Sequence, residues 1–468
     1  MIHNAIYAPA QTNIYKNNPL IECIPIIESE VDFYNAIKTI PELPVGLWDY
    51  DNFSAMDYFS ELEVAYLPHP SAWTLYLHFI QQIKSGYRSK NPLDKSGQCF
   101  INTVITRGNF GQKYAIPKRN KAHAGKAKCS FAKGVSGVGK SEVINTVLSC
   151  IPQVIRHREY NSTPLIMDQL VWVSIDVSAS NSLKGLALNF FTALDEQLGT
   201  SYAYNNRALR NPVDFYIGAI RELCAKHMIG FVHIDECQHL LKSIKSGESA
   251  TLEHLESLFN RIGIPMLMTS TPEGAKLFFN DNDEGSSPRV QNVRRLMSER
   301  VYEFEPIDIN SKFYHTFFDL FLPKYLFTDS EVQKNEFRHR VHYLTFGIHA
   351  IIARLLRLFF EAAHKLNLTP ENVNTGEYFS LLDKVYLQHF EAISLSIAQL
   401  RQNKAQEYEY MIQQSSDKKP KKLNTSRTMH SSVRGAKMAS ERSKAKLNSC
   451  NAEVHKNELQ AGLSEHHQ

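Results

Sequence analysis

The sequence has no run of about 18 apolar residues, the length a helix needs to cross a bilayer. Between residues 1 and 15 no basic stretch leads into an apolar one, so neither a spanning helix nor a secretory leader is expected. Cys-x-x-Cys pairs are also missing. The seven cysteines, Cys23, Cys99, Cys129, Cys150, Cys224, Cys237 and Cys450, are odd in number and scattered, which predicts free thiols. Cys224 and His227 have a ligand-like spacing but no second half-site, so a structural zinc is not expected. Nor is there a strong overall charge: the net value is +4 over 468 residues. That small excess is unevenly placed. Residues 415–468 carry eight Lys and three Arg against one Asp and four Glu, a net +6 that leaves the remainder at −2. A globally basic nucleic-acid binder is thereby excluded, and any such surface must be local. Together these absences predict a cytoplasmic chain with no membrane partner.

What is present is an ordinary globular composition, 43% hydrophobic and 21% charged, with room for one large or two to three ordinary domains. The strongest single feature is Gly134-Val135-Ser136-Gly137-Val138-Gly139-Lys140-Ser141, a phosphate-binding loop of the form GxxxxGKS. Glycines let successive backbone N–H groups approach a polyphosphate that any Cβ would obstruct. Lys140 would reach the β- and γ-phosphates of ATP, and the Ser141 hydroxyl would bind Mg2+. Residues 127–132 read as a short strand before the loop, and the apolar spacing of 142–148 suits a helix starting under the phosphates.

Residues 1–60 have weak periodicity and read as an N-terminal extension that packs on something else. Residues 71–84 follow Pro70 with helical apolar spacing, and Ser71 is expected to cap that helix. Residues 99–128 form an insertion: a strand-like alternation, the turn Gly108-Asn109-Phe110-Gly111, then a basic run of Lys113, Lys118, Arg119, Lys121, Lys126 and Lys128. From Gly134 onward strand and helix patterns alternate, which predicts an α/β fold with a parallel sheet covered by helices. Strands are expected at 170–177, 229–234, 265–268 and 301–304, with helices at 182–198, 213–227, 252–260, 272–279 and 290–299. Residues 310–412 read as all helical. Beyond about 415 the chain is rich in Lys, Ser, Asn and His and holds too little apolar surface to fold alone, so a disordered basic tail is expected.

The second half of the nucleotide site is Phe231-Val232-His233-Ile234-Asp235-Glu236, an apolar strand ending in two carboxylates, as in a Walker B element. Asp235 would hold the Mg2+ shell and Glu236 would orient and polarise the attacking water. A further strand ends in hydroxyls, and Thr271, or else Ser270, would sit between the two Walker elements and report on the γ-phosphate. Arg289, Arg294, Arg295 and Arg300 lie at the far end of this region. Arg295 or Arg300 would reach the γ-phosphate of a neighbouring subunit, where a guanidinium neutralises charge that develops in phosphoryl transfer.

With these residues in hand, the chain resembles AAA+ ATPases of the TnsC/TniB family, regulators of Tns-type heteromeric DNA transposons. The likeness covers roughly residues 60–365. It rests on the loop at 134–141, on Ile234-Asp235-Glu236-Cys237-Gln238-His239-Leu240, on Thr269-Ser270-Thr271-Pro272-Glu273-Gly274, and on the segment 173–199. The resemblance implies a P-loop AAA+ core over 61–308, a helical lid over 309–412 and the basic tail over 413–468. It implies an ATP- and Mg2+-dependent regulator that assembles as rings or helical filaments on duplex DNA in the bacterial cytoplasm. Such a protein answers a TniQ-type target selector and recruits a TnsB-like transposase and a TnsA-like endonuclease. By the same resemblance Lys184 and Arg207, in the 202–207 loop, would face DNA phosphates, and residues 1–60 and 400–468 would dock protein partners. One departure stands out: AAA+ lids often carry Gly-x-x-Arg, but here Gly347-Ile348-His349-Ala350 lacks the arginine. Arg354 or Arg357 would substitute, or the lid makes no direct contact with the nucleotide. Two other readings compete: a helicase loader that prefers single strands, and a signalling NTPase switch that does not touch DNA.

Overall fold

A computed structural model describes residues 2–95, 97–98, 128–177, 183–206, 212–239, 264–279, 299–322, 327, 330–370 and 375–417. The chain divides into two compact units, residues 1–401 and 402–468, and the architecture below is that of the first. Its centre is a five-stranded parallel sheet of β2 (Cys129–Gly134), β5 (Trp172–Asp176), β6 (Phe231–Asp235), β7 (Met266–Ser270) and β8 (Val301–Phe304), in the order β5-β6-β7-β2-β8. Every residue of β6 and β7 is buried. Runs such as Met-Leu-Met are what a strand covered on both faces requires. The register sets Asp176 beside Asp235, Ile234 beside Met268, and Lys133 beside Ser270. Because all five strands run the same way, Gly134, Asp235 and Ser270 end at one edge, where open α/β sheets place their ligands. The helices Lys140–Ser149, Leu183–Leu198, Val213–Lys226 and Pro272–Phe279 lie close to their expected positions.

Periodicity did not anticipate a second, three-stranded sheet of β1 (Ile2–Asn4), β3 (Val154–Tyr160) and β4 (Thr163–Leu170), in the order β1-β3-β4. The hairpin turns through Asn161 and Ser162, both left-handed at φ 49° and 61°, the twist a two-residue hairpin needs. The segment before it is Val-Ile-Arg-His-Arg-Glu-Tyr, whose charges hide the apolar alternation. Arg156 and Asp168 meet side-on at 2.8 Å across the outer face.

Residues 1–60, read as an N-terminal extension, form short helices. Helices Pro19–Glu22, Glu30–Ile37 and Asn52–Val64 are each started by a side chain, from Asn18, Ser29 and Asp51, that accepts a backbone N–H of the first turn. Leu20, Ile21 and Phe33 are buried in one cluster with Tyr76, Phe79, Ile144 and Phe231, and the Asn18 amide donates to the Tyr87 carbonyl at 3.0 Å. This segment therefore packs on the core itself. The helix expected at 71–84 spans Ala72–Tyr87, but Ser71 does not cap it: its backbone is already helical and its hydroxyl engages His69 Nδ1 at 2.7 Å.

The lid consists of helices Lys312–Phe321, Glu331–Thr345, His349–Lys365 and Thr375–Asp417. Tyr314, Phe317, Phe318, Phe321, Phe337, Phe359 and Phe360 fill its core together with Phe59. The expected boundary at residue 60 falls inside helix Asn52–Val64, whose Phe59 stacks on Phe360 at 5.7 Å between centroids. The expected helix at 252–260, the tail from 418 onward, and all but the last residue of both the basic insertion at 99–128 and the expected helix at 290–299 lie outside the described residues.

Candidate nucleotide-binding site

The loop after β2 turns through Gly137 and Gly139 at φ 82° and 94°, a conformation that side chains with a Cβ rarely adopt. Gly139 leads directly into helix Lys140–Ser149, so the free N–H groups of that first turn face the loop. The Lys140 side chain is buried, and its ammonium donates to the carbonyls of Gly134 at 2.8 Å and Val135 at 3.1 Å. Burial lowers its pKa, and the carboxylates of Glu236 and then Asp235 pull the other way. The ammonium thus stands within the field of both acids. Left-handed glycines, free amides and a buried cation fit a polyphosphate.

Asp235 ends β6 almost fully buried. Burial acts to raise its pKa, but nearby His233 and hydrogen bonds from the Ser141 hydroxyl, the Thr269 hydroxyl and the Glu236 amide hold it below the ordinary carboxylate range. Ser141 and Asp235, the two residues expected at the metal, are therefore neighbours. A hydroxyl and a carboxylate form an all-oxygen donor set of the kind Mg2+ takes. His233, directly behind on the same strand, shares a hydrogen bond with Ser174 at 2.8 Å, and burial pushes its pKa down to about 4. Neutral imidazole therefore backs the carboxylate at neutral pH.

Glu236 follows at φ 56°, left-handed for a residue with a full side chain. Such a backbone persists only where surrounding bonds hold it. Its amide donates to Asp235 Oδ1 at 2.8 Å, its carboxylate accepts from the Gln238 amide, and His239 Nε2 lies 3.9 Å away.

The hydroxyls at the end of β7 divide three ways. Thr269 donates to Asp235. Among the described residues the buried Ser270 hydroxyl has no hydrogen-bond partner. Thr271 accepts the Gly274 N–H at 3.2 Å and so starts helix Pro272–Phe279. Sequence reasoning passed over Thr269 and Gln238. The signal for Thr269 lies in the β6–β7 register rather than in any motif.

The lid touches the loop through its backbone. The Ala350 N–H donates to the Gly137 carbonyl at 3.2 Å, and a Cβ on Gly137 would lie 3.1 Å from an Ile348 methyl. Neither candidate lid arginine is directed at the loop: Arg357 pairs with Glu63 at 2.9 Å and Glu361 at 2.7 Å, and Arg354 lies over the Phe390 ring. Beside the loop, Tyr66, Leu67, Val138, Val143, Phe313 and His349 line a narrow crevice. Arg300 is exposed at the start of β8, at the end of the sheet away from its own loop. Lys184, in the first turn of helix Leu183–Leu198, holds its ammonium 6.0 Å from the Tyr216 ring centroid. Arg289, Arg294, Arg295 and Arg207 lie outside the described residues. Among the described residues no group of three or more His, Cys, Asp or Glu side chains could hold a metal, and no helix is long and apolar enough to cross a membrane. His227 is engaged instead by the Tyr202 hydroxyl at 2.9 Å.

Residues 123–278 match the family model described as an AAA domain. Together with the parallel five-stranded sheet and its flanking helices, this match gives those residues the fold of an AAA+ P-loop ATPase core, followed by a helical C-terminal region. Among solved structures, the chain is similar to the Walker-type ATPase of Pyrococcus abyssi, at 14% identity and TM-score 0.35 over 61% of this chain and 73% of that one. It is also similar to the Orc1 protein of Aeropyrum pernix solved in complex with DNA, at 14% identity and TM-score 0.33 over 62% and 65%. A third is Cdc6p of Pyrobaculum aerophilum, at 12% identity and TM-score 0.32 over 57% and 65%. The chain thus spans about two thirds of the latter two proteins. No curated protein matches the sequence.

Proposed function

We propose that this chain is an ATP-gated regulator of DNA transposition that assembles on duplex target DNA, links a TniQ-type target selector to a TnsB-like transposase, and disassembles when ATP is hydrolysed. The observation that carries the ATP-gated part is the convergence of Lys140, Ser141, Asp235 and Glu236 at one edge of the sheet. The loop amides and the Lys140 ammonium, which now rests on two carbonyls, would bind the β- and γ-phosphates. Ser141 and Asp235 would hold Mg2+, which would neutralise charge on the phosphate oxygens. Glu236 would orient the attacking water and accept its proton, and Thr271 or Ser270 would report on the γ-phosphate from the end of β7.

Arg295 or Arg300 would complete the site of a neighbouring subunit. The exposed position of Arg300, away from its own loop, supports action across an interface. Such an arrangement makes turnover depend on assembly, as a switch requires. The transposition part rests on the motifs 234–240 and 269–274. Lys184 and Arg207 would add sequence-independent phosphate contacts, and residues 1–60 and 400–468 would dock the selector, the transposase and a TnsA-like endonuclease.

The test is negative-stain imaging of the protein with duplex or single-stranded DNA, in the presence of ATP, a non-hydrolysable analogue or ADP. Rings or filaments on duplex DNA with triphosphate alone are the expected result. Assembly only on single strands would favour a helicase loader, and particles that ignore DNA in every state would favour a DNA-independent switch.

A further inference from the structure

Gln238 lies just past the two carboxylates that end β6, and its side-chain amide is used at both ends. Its Nε2 donates to the Glu236 carboxylate, while its Oε1 accepts the backbone N–H of Thr271 at 3.2 Å. Only one orientation of the amide satisfies both, because a carboxylate can only accept and a backbone N–H can only donate. The bridge therefore ties the acid that follows β6 to the residue that follows β7. Both ends are held from behind. Asp235 accepts from the Thr269 hydroxyl and from the Glu236 N–H, and the Cys237 N–H donates to the Thr269 carbonyl at 2.9 Å. Helix Pro272–Phe279 closes over the bridge at Gly274, where a Cβ would lie 2.7 Å from Gln238 Cβ. The side chain is thus confined between an acid, an amide and a helix.

The position in which it holds Glu236 is informative. Glu236 follows Asp235 at the end of the sheet from which the phosphate-binding loop leaves, and its carboxylate acts on the Lys140 ammonium. It does so on a left-handed backbone, which an unrestrained glutamate would leave.

We infer that Gln238 is a positioning residue for ATP hydrolysis: it fixes the Glu236 carboxylate toward the phosphate-binding loop and makes the end of β7 and the water-orienting acid move as one body. This rests on the assignment of Glu236 as the residue that orients the attacking water. A displacement of the β7 end by the γ-phosphate would then shift the carboxylate through the Thr271–Gln238–Glu236 chain of hydrogen bonds, with no covalent link between the two strands.

The test is steady-state ATP hydrolysis and ATP binding by the full chain with duplex DNA, comparing wild type, Gln238→Met, Gln238→Asn, Glu236→Gln and the Glu236→Gln/Gln238→Met double variant. Methionine keeps the length and loses both hydrogen bonds. Gln238→Met is expected to lower kcat roughly 10- to 100-fold, the effect of a misplaced reacting group, while KM and Kd for ATP stay within about twofold. Gln238→Asn, which retains the amide one methylene short, should recover part of the loss. In the Glu236→Gln background the same methionine should cost less than about twofold, because the group it positions is already gone. Wild-type kcat in Gln238→Met, or an undiminished further loss in the double variant, overturns the positioning role alone. Failure of the wild-type chain to hydrolyse ATP, or full activity in Glu236→Gln, overturns the assignment of Glu236 and the inference with it.

Discussion

The sheet edge and the helical lid meet at one loop but are held together by opposite means. At the edge, Lys140 and Asp235 are buried beside the partly buried Glu236, and position comes from hydrogen bonds: two carbonyls on the lysine, two hydroxyls and an amide on the aspartate, the Gln238 amide on the glutamate. In the lid, position comes from ring packing, with Phe337 against Phe359 at 5.1 Å and Phe359 against Phe360 at 5.4 Å between centroids. Apolar packing tolerates small shifts without leaving a charge unpaired, whereas a buried polar network does not. The contrast separates a network of paired charges, which loses most when one partner is removed, from an apolar body, which loses most when volume is removed. The Ala350 N–H joins the lid to the loop at the Gly137 carbonyl.

Four substitutions or conditions probe that contrast, the largest effect first. Phe359→Ala removes a fully buried ring from the lid core and should cost about 3–5 kcal/mol of stability, read by chemical denaturation. Nucleotide affinity well below the transition should be unchanged, and a parallel loss of ATP binding would mean the two regions are not separable. Lys140→Ala should do the reverse, weakening ATP binding roughly 100-fold, about 3 kcal/mol, by calorimetry, with little change in stability. Burying an ammonium is itself costly, so its removal should not unfold the core.

Gly137→Ala strikes the joint. A Cβ at φ 82° costs on the order of 1–2 kcal/mol, and the Ile348 methyl must also give way. Both stability and ATP affinity should fall together, and a change in one without the other would break the picture of a shared joint.

Acid provides the mildest probe. Burial pushes His349 of the lid and His233 of the core each down to about 4, below the ordinary value near 6.5. The unfolded chain therefore binds more protons than the folded one between those values. Stability should be full above about pH 6.5 and fall as pH drops toward 4, by on the order of 1 kcal/mol per pH unit for each histidine. His349→Phe, which keeps a ring against Phe317, should flatten the slope of thermal stability against pH, and an unchanged slope would remove His349 from the account.

The legible parts of the molecule were those where one short stretch must satisfy one partner. The loop 134–141 and the acids at 235–236 stand out because phosphate and metal chemistry fix residue type at fixed spacing. The central strands stand out because burial on both faces demands unbroken apolar runs. Sheet β1-β3-β4 stayed hidden behind the charges of Arg156, Arg158 and Glu159, and the N-terminal helices behind weak periodicity, since their apolar residues face two different clusters. Thr269 and Gln238 were missed for another reason. Their partners come from the β6–β7 register and from the left-handed turn at Glu236, and neither is visible in a linear pattern. The same limit applies to Arg354 and Arg357: helical spacing puts them about one and two turns past Ala350, while Phe390 and Glu63 draw their side chains elsewhere in space.

The most direct test of a hydrolysis-cleared DNA switch is the dwell of Glu236→Gln on duplex DNA after ATP is added, followed by fluorescence anisotropy beside wild type. The wild-type signal should decay as ATP is consumed, while the variant binds ATP, turns it over roughly 100-fold or more slowly, and stays on the DNA. A variant that leaves the DNA as fast as wild type, or hydrolyses ATP at the same rate, would contradict the account.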